Sequence, residues 1–540
     1  MTLALAVSSH VPPQEDSTGS EDIRASQNRA LLAFELESVT SLDEEQTVVL
    51  QGILRHGTTL GTWHSPPEWL PSGAPRARPD VNIRRRIVAF IPQALRTELE
   101  GRSSALLSRA VLVATHYTIL LRMGPSGTGR AMGRPLGANQ IFGIVNSYLP
   151  QLLAVALRVL ADRSKRESGS WSGLARYHGP LLEAVNLDDL DTLSANAKQH
   201  VLKECHRMHI LSAQGLWQDL PALEGETRST VLAGPARYNP PEGAKNPHLP
   251  LPDDYVSLLG QRCLWLITQL APNLFVLGSQ LERAWHATLG KGWVPNTVRE
   301  RRRQAVRDIF SRHVWRDRSG AALGDPPFPL ALSKPKGFKS KLADDITDEI
   351  RWPPKTHIDF MSLVGTVQAA HMCIALLSTG GRQSEVLDLQ RNCVERAVDG
   401  RQYANGKTFK LVRKLGGEAR DWQLPELAVL ALEQQSRLVA LGERVGLLAP
   451  DDSARPGDTQ LSHLWAQLSA APGASSPWLP VTDINRVLVS FARRIGLEAQ
   501  PGGQRLRSHR FRKTLARLVA LALTQAPRIL MDVFGHKSME

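Results

Sequence analysis

Cysteine is scarce in this 540-residue chain: Cys205, Cys263, Cys373 and Cys393 lie far apart. No pair has CxxC spacing and no Cys/His cluster has zinc-ligand spacing, so no metal site is expected. The four read as reduced, mostly buried thiols of a cytosolic protein. The N-terminal MTLALAVSSHVPPQED lacks a basic leader and a long apolar core, so it does not read as a signal peptide. The longest late apolar stretch, Leu515 to Leu523, is interrupted by Arg517 and too short to span a bilayer. The expectation is therefore a soluble, cytoplasmic chain, nucleoid-associated if bacterial, with no membrane partner. No internal repeat is present. A Gly-rich stretch at 124–131, GPSGTGRA, lacks the GK[ST] ending of a phosphate-binding loop, with Arg130 and Ala131 there instead. A flexible turn is the reading, and neither a nucleotide nor any other cofactor is expected.

What is abundant is positive charge. Lys and Arg number 65 against 52 Asp and Glu, a net charge of +13. That surplus fits a polyanionic partner, most often nucleic acid, or a plain basic protein, and charge alone does not separate the two. At roughly 150 residues per domain the length suggests about three domains. Apolar residues recur at helical spacing over 31–55, 84–100, 104–122, 139–162 and 179–215, then over 254–289, with a break expected near Pro272, and over 295–316. Pro-rich stretches punctuate the chain at 64–80, 234–253 and 325–356. A strand-rich segment covers 392–424, and a Ser/Pro/Ala-rich insertion at 449–478 reads as a surface loop. The layout is an N-terminal extension (1–83), a helical domain (84–233), a linker (234–253), a basic helical region (254–330), a linker (331–356) and a C-terminal domain (357–540). The fold class is mainly α with a small antiparallel β-sheet.

In VRERRRQAVRDIFSRHVWRDR, Arg299, Arg303 and Arg307 fall on one stripe at four-residue steps, with Val298, Ala305, Ile309 and Val314 on or near another face. Such a helix can lie along a phosphate backbone, or present a solvated face laced by Glu300 and Asp308. Arg84 to Arg86 form a second, less specific cluster.

Three pieces of the last block carry chemistry. In ALLSTGGRQSEVLDLQ (375–390) a helix ends at Thr379-Gly380-Gly381, where glycine permits a left-handed reversal, and Arg382 follows at once. A guanidinium held at such a junction can grip two phosphate oxygens, or form a structural salt bridge to Glu385. KTFKLVRKLGGEARDWQLP (407–425) reads as a β-hairpin, with strands at 408–413 and 419–424 around Gly416-Gly417. Lys414 sits just before the turn, with Lys407 and Lys410 as competing candidates. In RLRSHRFRKTLARLVALAL, His509 and Arg512 are three apart on one face of a helix start. Between Arg505 and Arg517 lie six Lys or Arg residues and no acid, as a DNA-facing helix start such as Arg505 and Arg507 would give. A short helix beyond Pro527 then leads to Phe534-Gly535-His536.

In this order, TGGR, a lysine hairpin, SHRFRKT and FGHKS resemble the catalytic domain of tyrosine recombinases, the phage integrase family, over residues 357–540. The resemblance implies a tyrosine-recombinase-like domain behind a helical, DNA-clamping region within 84–330. Arg382 and Arg512 would clamp the non-bridging oxygens of the scissile phosphate. Lys414 would protonate the leaving oxygen, His509 would serve as base, His536 would donate a hydrogen bond, and Glu385 would orient its neighbours. The implied function is site-specific DNA recombination and integration through a 3′-phosphotyrosyl intermediate, with double-stranded DNA as partner and self-association on it as dimer or tetramer. Bond energy is conserved in that intermediate, so neither metal nor nucleotide is implied. Two departures stand out. Lys513 occupies a position where the family usually has histidine. None of the six tyrosines follows Tyr403, and the sequence reaches Glu540 before the nucleophile's expected place beyond His536. The chain as written is thus expected to bind and polarise a phosphodiester; a catalytically inactive DNA-binding protein on the same scaffold is the alternative.

Overall fold

The computed structural model describes residues 39–71, 80–123, 136–222, 248–287, 295–332, 352–355, 357–409, 415–444, 463–466 and 481–523. The fold is mainly α-helical with two small antiparallel sheets. The chain divides into two compact units, one holding residues 39–70 and 80–222, the other 248–409 and 418–523.

The first unit opens with α1 (Glu44–Ile53), started by a capping box: Asp43 accepts from the Gln46 N–H at 2.8 Å, and Gln46 accepts from the Asp43 N–H at 3.1 Å. Strands β1 (Thr62–His64) and β2 (Asp80–Asn82) pair in antiparallel register, Trp63 opposite Val81. The helix expected over 84–100 is two, α2 (Ile83–Ala89) and α3 (Gln93–Glu100), because Pro92 cannot continue the first. α4 (Ser104–Met123) follows. Next, α5 (Ala138–Gly143) runs through a π turn at Ile144–Tyr148 into α6 (Leu149–Ser168). Pro150 lacks the N–H that would bind the Asn146 carbonyl, and the Arg86 guanidinium takes that carbonyl at 2.7 Å. Arg84 reaches Ser108 at 3.0 Å, so two of the three clustered arginines serve the fold. The helix expected over 179–215 is only α7 (Ala195–Ala213). Ahead of it the Asp219 carboxylate holds the N–H groups of Leu181, Leu182 and Glu183 at 2.8–3.2 Å, fixing that stretch as a loop.

In the second unit α8 (Asp253–Trp265), a π turn at Leu266–Leu270 and α9 (Ala271–Ala287) run on continuously. The break expected at Pro272 does not occur, because the widened turn absorbs the missing hydrogen bond. α10 (Pro295–Arg312) precedes α11 (His357–Thr379), whose Phe360, Leu363, Val364, Val367, Ala370, Cys373 and Leu376 are fully buried. A helix apolar around so much of its circumference belongs at the centre of a core. It packs against α13 (Glu426–Arg444), α14 (Ile484–Arg494) and α15 (Ser508–Ala522), and residues 251–332 share that core with 360–511. Between them lie α12 (Gln383–Leu387) and a sheet of order β3 (Val394–Arg396), β4 (Gln402–Thr408), β5 (Glu418–Gln423). All four cysteines are free and buried.

One set of expectations is overturned. Among the described residues three stretches are long and apolar enough to cross a membrane: Ser104–Met123, Ala138–Ser168 and Ser362–Thr379, of 20, 31 and 18 residues. A bilayer core of about 30 Å needs about 20 residues of helix. Ala, Thr and Ser dilute these helices without charging them, so a search for unbroken apolar runs passes over them. The expectations of a cytoplasmic, nucleoid-associated chain with no membrane partner do not stand against this finding. Within each apolar window 67%, 67% and 83% of the residues are buried in the protein.

Candidate anion-binding site

The site grows from the end of α11. Thr379 caps its own helix, donating to the Ala375 carbonyl at 2.7 Å and accepting from the Gly381 N–H at 3.0 Å. Gly380 takes a left-handed φ of 56°, which reverses the chain. A side chain at Gly381 would meet Val386 at 2.9 Å. Arg382 leaves this turn as the first residue ahead of α12. Its backbone N–H donates to one oxygen of Glu385 at 2.7 Å, and its guanidinium donates to the other at 2.7 Å. The salt bridge weighed from the sequence is therefore present, while Arg382 also lines an open cleft.

Glu385 is fully buried and is the hub of the site. Thr408, at the end of β4, donates to it at 2.8 Å, and the Arg420 guanidinium of β5 stands 3.9 Å away. Burial alone would raise its pKa; the Arg382 N–H, the Arg382 charge and the Thr408 hydroxyl outweigh that and hold it below the ordinary glutamate value. Arg512, in the second turn of α15, is buried and donates to the Gly380 carbonyl. The same glycine turn thus carries Arg382 and anchors Arg512, across 130 residues of sequence. Burial, then repulsion from Arg382 and Arg420, lowers the Arg512 pKa to about 10 despite the pull of Glu385. Arg512 is still charged at neutral pH, and the three guanidinium groups outnumber the one carboxylate. Such an excess of fixed positive charge favours an incoming anion.

The cleft has a volume of about 360 Å³ and is lined by His248, Gly381, Arg382, Gln383, Asn485, Arg507, Ser508 and His509. Asn485 of α14 ties its walls together, accepting from the Ser508 N–H at 2.9 Å and donating to Gln383 at 3.2 Å. Arg507 and His509 are exposed at its edge, and Arg505 is exposed two residues earlier.

Of the residues singled out from sequence, Arg382, Glu385, His509 and Arg512 come together here, with Arg507 at the rim. Lys414 and its competitor Lys410, His536 and the GPSGTGRA stretch lie outside the described residues. The first hairpin strand among the described residues is Gln402–Thr408, which meets the expected 408–413 only at Thr408 and puts Lys407 within β4, opposite Ala419; positions 410–413 lie outside the described residues. On α10, Arg307 is exposed, 3.8 Å from Glu300 and bonded to Gln304, which in turn reaches Asp308. The lacing weighed against a phosphate-contacting face is thus present around Arg307. The side chains of Arg299 and Arg303 lie outside the described residues. Sequence reasoning missed Arg420, Asn485 and His248. Arg420 carried a signal, since strand alternation puts it on the same side as Trp422, but no motif marked the other two. No protein-family model, no curated protein and no solved structure matches this chain.

Proposed function

We propose that this chain binds duplex DNA and holds one phosphodiester at the Arg382–Arg512 junction, as a DNA strand-exchange protein of the tyrosine recombinase type. The observation that carries the reading is the meeting of Arg382 and Arg512 on one glycine turn, beside a cleft edged by His509. Two guanidinium groups fixed before the ligand arrives suit the non-bridging oxygens of a phosphate, whose charge grows in a pentacoordinate transition state. Arg507, at the rim, contacts a neighbouring backbone phosphate and sets register. Lys414 and His536 keep the roles the resemblance implies, as leaving-group acid and hydrogen-bond donor. Self-association on DNA as dimer or tetramer belongs to the same reading, as does the tyrosine-recombinase-like architecture of the second unit.

The test is fluorescence anisotropy with a labelled duplex at fixed salt, comparing the wild-type chain with Arg382→Ala and Arg512→Ala. Each variant is expected to weaken binding by about tenfold or more. Wild-type affinity in both variants sinks the reading. On a chain carrying the tyrosine that the resemblance places beyond His536, a nicked suicide duplex then separates strand exchange from binding without cleavage: a covalent protein–DNA adduct that either arginine variant abolishes supports exchange, and binding with no adduct supports the inactive scaffold.

A further inference from the structure

The cleft contains a histidine that no recombinase-like motif supplies. His248 stands just ahead of α8, far in sequence from the junction, and its ring lies 5.4 Å from that of His509 at an interplanar angle of 58°. Its place is built by an arginine distinct from the two at the glycine turn. Arg510, 1% exposed, donates through Nε to the Leu249 carbonyl at 2.9 Å and through Nη2 to the Pro250 carbonyl at 3.1 Å. The Leu249 N–H reaches Gln504 at 3.0 Å and the Leu251 N–H reaches Thr514 at 2.8 Å. A guanidinium buried this deeply is costly unless its donors are used, and here they fasten an extended segment to the first turns of α15. The exposed imidazole of His248 is thereby delivered to the rim of the cleft.

We infer that His248 is a second anion-contacting histidine of this cleft, acting with His509 as a pair that takes up protons when the phosphodiester binds. The inference rests on the phosphate reading above and extends it to a residue and a regulation. Among the described residues the charged and titratable groups lining the cleft with His248 are Arg382, Arg507 and His509; Gly381, Gln383, Asn485 and Ser508 are neutral, and no described acid lines it. Two arginines and two imidazoles thus face whatever enters the cleft. A bound phosphodiester brings negative charge between them, so a proton on either ring and the anion support each other.

The experiment is anisotropy with the same labelled duplex at constant ionic strength, from about pH 8 to about pH 6, on wild type, His248→Gln and Arg382→Ala. The wild-type chain is expected to tighten about tenfold on acidification. His248→Gln, a change at an exposed position, is expected to gain only about threefold over the same range. If His248→Gln tightens as the wild type does while Arg382→Ala is weakened, the inference is overturned and the phosphate reading survives. If Arg382→Ala binds as the wild type does, the phosphate reading fails and the inference with it.

Discussion

At the residue scale the site is governed by one buried carboxylate among three guanidinium groups. Glu385 has its folded-state pKa below the ordinary value of 4.5, so the stability it contributes is present above that value and is lost as pH falls through the folded pKa. Glu385→Gln keeps the shape but leaves Arg382, Arg420 and Arg512 to repel one another. Removing one partner of a buried ionic cluster costs about 3–5 kcal/mol. Urea unfolding at neutral pH is expected to show that loss, and the variant should shed some of the wild type's acid sensitivity below about pH 5. Equal stability of the two chains at neutral pH would contradict the role of Glu385 as the counter-charge. The arginines at 382 and 512 were legible because each sits in a local pattern, a glycine turn or a basic helix start. Arg420 and His248 were not, since what brings them into the site is a contact across the fold: a carboxylate met from a neighbouring strand, and a segment held by Arg510. That Glu385 would be shared by Thr408 and Arg420 was equally invisible, because its partner in the local pattern was Arg382 alone.

At the scale of elements, the hairpin and the glycine junction form one mechanical piece. Gly406 of β4 faces Arg420 of β5, and a methyl group there would meet the Trp422 ring at 2.7 Å and Leu389 at 3.1 Å. The Arg420 guanidinium lies over that ring, 5.2 Å from its centroid. Gly406→Ala therefore has to displace Trp422, and Arg420 with it, relative to Glu385. Overpacking of this kind costs about 1–3 kcal/mol; a fall in the urea midpoint together with weaker DNA binding is expected, and an unchanged midpoint would show that the ring has room to move. The helices α4, α6 and α9 were legible because burial imposes 3.6-residue spacing on apolar side chains, and α11 only by the glycine turn that ends it. Their ends were less so. Pro272 signalled a break that a π turn avoids, and the loop before α7 is set by Asp219, whose reach to Leu181–Glu183 no local window contains. The hairpin was legible in kind, but not that β4 begins at Gln402, where pairing with β3 as well as β5 fixes its register from both sides. The linker placed at 331–356 does not separate one core from another, since Leu259, Leu270 and Leu330 are buried in the same cluster as Phe360 and Phe511.

At the scale of the whole molecule two bulk properties pull in different directions. Three helices are long and apolar enough for a bilayer, a property spread over windows in which small and hydroxyl residues replace charge, so no single run announces it. The net charge of +13, by contrast, lies in arginines and lysines of which those windows hold few. A long-range positive field attracts any polyanion and is screened by salt within about 10 Å at 0.1 M, whereas a built phosphate contact releases a counterion of its own. The two are separable because each phosphate neutralised contributes about −0.9 to the slope of log K against log salt. Arg507, exposed at the rim beside buried Arg512, is the residue on which to measure this. Arg507→Ala is expected to leave folding unchanged, to weaken duplex binding and to lower the magnitude of that slope by about 1. A variant that weakens binding with no change of slope would place Arg507 in the general field and not on a phosphate. In that case the contact surface lies away from the cleft, and the register assigned to the rim arginine falls with it.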